Sequence, residues 1–307
     1  QLFTGSSSVK EDNRNMEYIK IICNMCGKDD YSIVYHSNIG QIIPTVNDYT
    51  STINKYCVYN NIVQCNNCGL IYMNPQDAAV EKLYKDVVDD AYLDSWDERA
   101  EVFKNHLKII SEYKNSGKIL DIGCYAGIFI DEAQKKGYEV NGIEPSEWAA
   151  AYARKKTGVL VINACCNEKQ FFTDKDFDVV TLWDVIEHLS NPSLTLSNVY
   201  SYLKEEGIVV ITTHDIGSFI AKIMGKRYPW LMRFHLFHFT PKTLGALLEK
   251  NKFEILSTRY YSKKFKLNYL LSRFGIKTKA EFFKKISIPV NLGDMFMIVA
   301  KKKKQGN

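Results

Sequence analysis

A few short stretches concentrate the side chains that can do chemistry. "CNMCGK" and "CNNCGL" repeat one pattern, Cys-x-x-Cys-Gly, at Cys23 and Cys26 and again at Cys65 and Cys68. "ILDIGCYAGIF" carries an acid, Asp121, two residues ahead of Gly123, in a loop running through Cys124 and Tyr125 to Gly127. "GIEPS" places Glu144 directly before Pro145, 21 residues beyond Gly123. Two acid–imidazole neighbours follow, Glu187–His188 and His214–Asp215.

The paired cysteines point to a metal. A two-residue gap lets both thiolates of a tight turn face one ion, and the glycine behind them lets the backbone fold back toward the sulfurs. Two such knuckles supply the four sulfurs of a closed tetrahedral Zn2+ site, structural because no coordination position stays open. A redox Cys-x-x-Cys, an iron–sulfur cluster and unrelated buried thiols are the alternatives. A redox motif needs one pair only and a thioredoxin-like setting that is missing here. Cys57 is a spectator or a substitute ligand. About 38 residues separate the knuckles, too little core to fold alone, so metal binding is expected to supply stability.

The glycine loop excludes phosphate cofactors. A nicotinamide site wants Gly-x-Gly-x-x-Gly after its first strand, and a P-loop wants Gly-Lys-Ser/Thr. Neither spacing is present. The Asp121 carboxylate would repel a pyrophosphate but suits an ammonium group. A strand-end acid such as Glu144 can accept both hydroxyls of a ribose. Together these residues describe a ligand with a cationic end and a ribose, and no phosphate.

The elements that position these residues read as an open α/β sheet. "GKILDIG", "YEVNGIE", "VLVI", "FDVVTLWD" and "IVVITTH" are β-branched runs separated by helical segments such as "GIFIDEAQKKG", "PSEWAAAYARKKTG" and "PSLTLSNVYSYLKEEG". Strands buried on both faces and alternating with helices predict a Rossmann-like, doubly wound, mostly parallel sheet. "FEILSTRYY" and "MFMIVAKKK" are expected to add two antiparallel edge strands, making seven. Ahead of the sheet, "VEKLYKDV" and "RAEVFKNHLKIISEY" show helical periodicity, with Phe103, Leu107, Ile110 and Tyr113 on one stripe. The expected organisation is a leader over 1–15, a zinc-ribbon-like module over 16–76, a helical connector over 77–116 and an α/β domain over 117–307. Segments 214–240 and 262–290 would cap its substrate side.

Composition adds limits. No apolar run approaches the ~20 residues of a membrane span, and the first residues lack a signal-peptide core. A cytoplasmic location is expected, with Met16 as native start. The net charge of +5 is mild and does not select a partner. The basic stretch "SKKFKLNYLLSRFGIKTKAEFFKKI" is expected to be a surface helix over the pocket; docking to an acidic carrier or an anionic membrane leaflet is its alternative.

"LDIGCYAG", "GIEPS" and "FDVVTLWDVIEHL" occur in order on three successive strand ends and resemble the motifs of class I S-adenosylmethionine-dependent methyltransferases, over residues 118–213. The resemblance implies that Asp121, Gly123 and Gly127 line the methionine part, with Cys124 and Tyr125 in the same loop, and that Glu144 binds the ribose. It places Pro145 near the adenosine, Ala164 and Cys165 beside the adenine, and Trp183 and Asp184 at the mouth. Tyr125 departs from the family, where glycine is common. Led by cysteine knuckles, the domain also resembles bacterial enzymes of sugar-nucleotide and surface-polysaccharide methylation. That implies an anionic sugar nucleotide or glycan precursor as acceptor. The alternatives are another small metabolite, of quinone type or a capsule phosphate, a zinc-ribbon RNA-binding protein, and a cofactor-binding regulator without catalysis. Nucleic acid is the weaker partner, because the knuckles offer few basic residues to phosphates.

An acceptor hydroxyl needs a base positioned to take its proton. Imidazole, with an ordinary pKa of about 6.5, suits that work. His188 is the first candidate, oriented by Glu187, and His214 the second. His235 and His238 in "FHLFHF" are expected to share a helical face, with no third metal ligand in sight. Tyr228, Trp230 and Arg233 are expected to stack on and pair with an anionic acceptor.

Overall fold

A computed structural model describes residues 18–40, 57–78, 80–166, 171–172, 175–266 and 287–304. The expected leader and most of the basic 262–290 segment lie outside the described residues. Five short strands come first: β1 (Tyr18–Ile19), β2 (Tyr31–Tyr35), β3 (Ile62–Cys65), β4 (Ile71–Met73) and β5 (Gln76–Asp77). Helices α1 (Val80–Lys85) and α2 (Trp96–Ser111) lead to β6 (Lys118–Ile122), α3 (Ile128–Lys135), β7 (Glu139–Glu144), α4 (Glu147–Thr157) and β8 (Val161–Asn163). Then follow β9 (Phe177–Trp183), α5 (Pro192–Tyr202), β10 (Leu203–His214), α6 (Phe219–Met224), β11 (Phe237–His238) and α7 (Pro241–Lys250). Strands β12 (Phe253–Tyr260), β13 (Lys263–Lys266), β14 (Ser287–Val290) and β15 (Met295–Lys302) complete the chain.

Seven strands form one sheet in the order β12-β15-β10-β9-β6-β7-β8. Strands β6 to β10 are mutually parallel, and β15 is antiparallel to both of its neighbours. The expectation of two antiparallel edge strands is therefore corrected. β15 inserts between β10 and β12, and β12 runs with the parallel set as the edge. Burial explains the swap: Met295–Ala300 is apolar and buried throughout, whereas β12 alternates toward solvent. The strand order reverses beside β6, which pairs with β7 on one side and β9 on the other. At that switch point the carboxyl ends of neighbouring strands open a crevice.

Period-two alternation feeds two cores. Ile119, Val179, Ile208, Val210, Met297 and Val299 pack against helices α2, α3 and α4. Leu120, Val180, Val209, Ile211, Ile298 and Ala300 face the other way, toward α5 and α7. Leu107 and Ile110 are fully buried, and Phe103 and Tyr113 pack at the margin, as the helical stripe predicts. Helix α5 stops at Tyr202, short of the expected "LKEEG" extension, because Leu203 already pairs with Phe177 ahead of a bulge.

The cysteine-bearing segment is not closed on itself. Its sheet has the order β11-β4-β3-β2, so Phe237 and His238 supply an edge strand, with Phe237 opposite Tyr72. Cys23, Met25, Cys65, Leu70 and Tyr72 lie in the same apolar cluster as Leu182, Phe234 and Leu247. Pairing with β4 also replaces the expected shared helical face of His235 and His238. Among the described residues no helix is long and apolar enough to cross a membrane.

Candidate active site

The carboxyl ends of β6 and β7 bring two buried acids together. Asp121 is fully buried; Thr181 donates to its Oδ1 at 2.7 Å, and no hydrogen bond reaches its Oδ2 from the described residues. Burial pushes the Asp121 carboxyl up to about 8, against the Thr181 bond, with the nearby Glu144 charge adding. Glu144 accepts from the backbone N–H of Tyr125 and of Ser146, both at 2.8 Å. Burial still raises it to about 7, the two amides opposing. An unpartnered buried carboxylate oxygen beside a second acid is what a cationic ligand would complete, and Glu144 keeps a lone pair on each oxygen for hydroxyl donors. The residues thus fit the ammonium and ribose of S-adenosylmethionine.

The glycines serve chain packing. Gly123 has φ +72°, and a Cβ there would lie 2.5 Å from Cγ2 of Val185. The loop must pass this close to the β9 end, which only glycine allows. Cys124 points into the core: its Sγ lies 2.8 Å from where a Gly142 Cβ would stand, and burial pushes its thiol up. At the end of β8, Asn163 donates to the carbonyls of Glu144 and Pro145, and the Ala164 N–H donates to Glu144 O. Cys165 is buried next in line.

Tyr125 turns back onto the connector. Its φ is +46°, a left-handed value that a non-glycine residue reaches at a cost. Its ring meets Tyr92 at 4.4 Å and Trp148 at 6.0 Å, and its hydroxyl donates to Asp89 O at 3.4 Å. The Arg99 guanidinium lies 3.6 Å from the Tyr92 ring centroid. The charges of Asp184, Asp121 and Glu144 all act on Tyr92, which the 90–95 turn carries.

Asp184 links the two halves of the site. It has φ +54°, and its N–H and Oδ1 both bond to the Thr212 hydroxyl at 3.0 Å. Its charge acts on Tyr92 and on His188. The preceding Trp183 stacks on His106 at 4.8 Å and packs on Phe129.

A short 3-10 turn, Ile186–His188, then carries the first imidazole candidate. His188 Nδ1 is 2.7 Å from the Tyr84 hydroxyl and 3.1 Å from Phe234 O, and the ring stacks on Phe234. His235 meets His188 edge-on at 4.7 Å and sets its Nδ1 2.8 Å from Trp230 O. Glu187 is buried, with Oε1 3.8 Å from His214 Nδ1 and no hydrogen-bond partner on Oε2 among the described residues. His214, 1% exposed, stands behind it, stacked on His235 at 4.8 Å with Nε2 3.2 Å from His238 Nδ1. Burial holds His188, His235 and His238 below the ordinary imidazole range, and the neighbouring rings push His235 and His238 further down. His188, half-buried, is the most open of the four.

Sequence spacing missed the meeting of His235 with Glu187 and His188. It also missed Tyr84, which the connector delivers to His188 from 104 residues upstream, and Tyr92, which it delivers to Tyr125. The backbone makes the link: Leu236 N–H donates to Glu187 O, and Met73 N–H donates to Leu236 O. Residues expected to hold an anionic acceptor are engaged elsewhere. Arg233 is buried, 3.8 Å from Asp77 and 3.2 Å from the Tyr18 hydroxyl; Tyr228 and Trp230 both donate to Asp294.

Cys23, Cys26, Cys65 and Cys68 offer sulfurs that all lie within 4.8 Å of one another, with Cys23–Cys68 and Cys26–Cys65 at 3.5 Å. Zn–S bonds of about 2.3 Å imply tetrahedral S···S edges of about 3.8 Å, so the cluster is of the right size. Cys57 is apart, its Sγ near the carbonyls of Arg227 and Tyr228.

Sheet order and strand-end acids define a Rossmann-like α/β fold of the methyltransferase class. A family model described as methyltransferase domain matches residues 95–258, more than half of the chain, and the chain belongs to that family. A solved S-adenosylmethionine-dependent methyltransferase from Thermotoga maritima, described as a possible histamine N-methyltransferase, aligns at 20% identity and TM-score 0.50, covering 70% of this chain and 95% of that one. One from Archaeoglobus fulgidus aligns at 23% and 0.50, covering 70% and 100%. At these identities the likeness is of fold alone. The ubiquinone biosynthesis O-methyltransferase of Bradyrhizobium diazoefficiens is 29% identical over 123 residues, 38% of this chain and 49% of that one. Its namesake from Rhodopseudomonas palustris is 30% identical over 148 residues, 45% and 58%. The chain spans about half the length of the curated relatives it matches.

Proposed function

We propose that the protein transfers the methyl group of S-adenosylmethionine to a hydroxyl oxygen of a small, quinone-type molecule, leaving S-adenosylhomocysteine. The observation that carries this reading is the pair of buried acids, Asp121 and Glu144, at the switch point of a methyltransferase-family sheet. When bound, the cofactor supplies an electrophilic methyl group. Asp121 receives its ammonium end, Glu144 its ribose, and Tyr92 with Tyr125 shields them from water. The Glu187–His188–His235 group receives the acceptor hydroxyl and its proton, with His214 positioning Glu187. In-line placement of oxygen and methyl supplies much of the acceleration.

O-methylation of a quinone-type acceptor is favoured by the names of the curated relatives. The sugar-nucleotide expectation loses its physical support, because Arg233, Tyr228 and Trp230 are internally paired. We further propose that the four clustered cysteines hold one structural Zn2+. In this reading the 16–76 unit buttresses the segment that bears His235, and the 77–116 connector delivers Tyr84 and Tyr92 to the 117–307 domain.

The test is turnover with the methyl donor against a panel of catechol-like quinone precursors and nucleotide sugars, read as a one-methyl mass increment. Methylation of a ring hydroxyl is expected. Methylation of nucleotide sugars alone would overturn the acceptor class, and a failure to bind S-adenosylhomocysteine would overturn the cofactor.

A further inference from the structure

Glu187, His188 and His235 each place one potential ligand atom within 4.8 Å of the other two. The hydrogen bonds around them decide which atoms are free to bind. Backbone carbonyls only accept, so Phe234 O and Trp230 O draw the ring protons of His188 and His235 onto Nδ1. In that tautomer the Tyr84 hydroxyl oxygen, 2.7 Å from His188 Nδ1, accepts from the same N–H. That leaves Nε2 of each ring with its lone pair. Glu187 is 2% exposed, and no hydrogen bond reaches its Oε2 from the described residues. Lone pairs therefore converge from two imidazoles and a carboxylate, and among the described residues no hydrogen bond reaches Glu187 Oε2, an arrangement that a cation relieves.

We propose that this group binds one divalent first-row transition-metal ion through two imidazoles and one carboxylate, open on the side of half-buried His188. Such a ligand set leaves coordination positions for water or substrate, unlike the closed four-thiolate site. The surroundings have the form of an outer shell: carbonyls hold both rings, and His214 stands 3.8 Å from the Glu187 carboxylate. A cation here would bind and acidify an acceptor hydroxyl, whose proton would then leave to water on the open side, the three side chains serving as ligands in place of direct proton acceptors. The inference deepens the transfer reading by naming how the acceptor is held, but metal binding is measured without donor or acceptor. Loss of either reading is thus distinguishable from loss of the other.

Equilibrium dialysis of the full chain against Zn2+ should load one more zinc per chain in the wild type than in His235→Ala or Glu187→Gln. Both variants should bind the extra ion about 100-fold more weakly, or worse, since even outer-shell changes cost about 10- to 100-fold. Wild-type protein offered Co2+ should take up an equivalent that shows no sulfur-to-metal charge-transfer band, which keeps the test decisive if a variant misfolds. Equal zinc in wild type and variants, or cobalt bound only with the sulfur signature, would overturn the proposal.

Discussion

The backbone N–H of Tyr125 donates to Oε2 of Glu144 at 2.8 Å, tying the loop after β6 to the acid that ends β7. The Ser146 amide holds the other oxygen. Glu144 thus organises the loop in addition to its proposed ligand role. Glu144→Ala should orphan two buried amides and cost about 1–3 kcal/mol for each. Urea melts of the free protein check this. A variant as stable as wild type would show that Glu144 acts on the ligand alone.

Asp121 and Glu144 make the free protein and its complex respond oppositely to pH. Both folded-state pKa values are raised, to about 8 and about 7, by burial first. Their contribution to stability is therefore full below the unfolded carboxylate range near 4 and is lost as pH rises through 7 to 8. A cationic ligand favours the ionised acids, so its binding should release protons at pH 6.5 and few at pH 9. Calorimetry in buffers of different ionisation enthalpy reads the proton count, and Asp121→Asn should lower it.

Tyr125 joins the loop after β6 to the 90–95 turn. Tyr125→Gly relieves a left-handed residue, worth roughly 1–2 kcal/mol, but gives up ring contacts of about 0.5–1.5 kcal/mol each. Stability should change little, while hydrogen exchange over 88–95 speeds up and cofactor release accelerates several-fold. Tyr125→Phe should keep the slow exchange. Equal exchange in all three proteins would make the ring a spacer.

Removing the proposed zinc from the cysteine cluster should be felt beyond it. Cys23 and Cys65 share an apolar cluster with Leu182 and Phe234, and Met73 is bonded to Leu236 beside His235. Chelation is expected to lower the melting temperature of the whole chain in a single transition and to raise exchange across 235–238. A separate early transition confined to 18–78 would contradict the shared core.

Arg233 offers a contrast between structural and substrate roles. It is buried beside Asp77. Arg233→Met should remove the buried positive charge facing Asp77 and destabilise by about 3–5 kcal/mol. Asp77→Leu added to it should recover part of that loss. A stable Arg233→Met protein with a raised acceptor KM would instead return Arg233 to the acceptor site.

Much of the architecture was legible because it is local. The five core strands, the helices between them and the Asp121, Gly123 and Glu144 positions follow from alternation, from period 3.6 and from residues lying at strand ends. The cysteine spacings likewise bring four sulfurs into one cluster. Where elements meet at long range, pattern alone said less. "MFMIVAKKK" reads as a strand in any position, and only its need for neighbours on both sides seats it between β10 and β12.

The chain order of residue types therefore determined the sheet, the two strand-end acids and the thiol cluster, since each depends on neighbours a few residues apart. The tertiary structure decided what lies far apart in sequence. It brought His235 to Glu187, Tyr92 to Tyr125 and Phe237 to the cysteine sheet. Those meetings depend on how elements pack around two shared cores, and burial of apolar surface in three dimensions leaves no period along the chain.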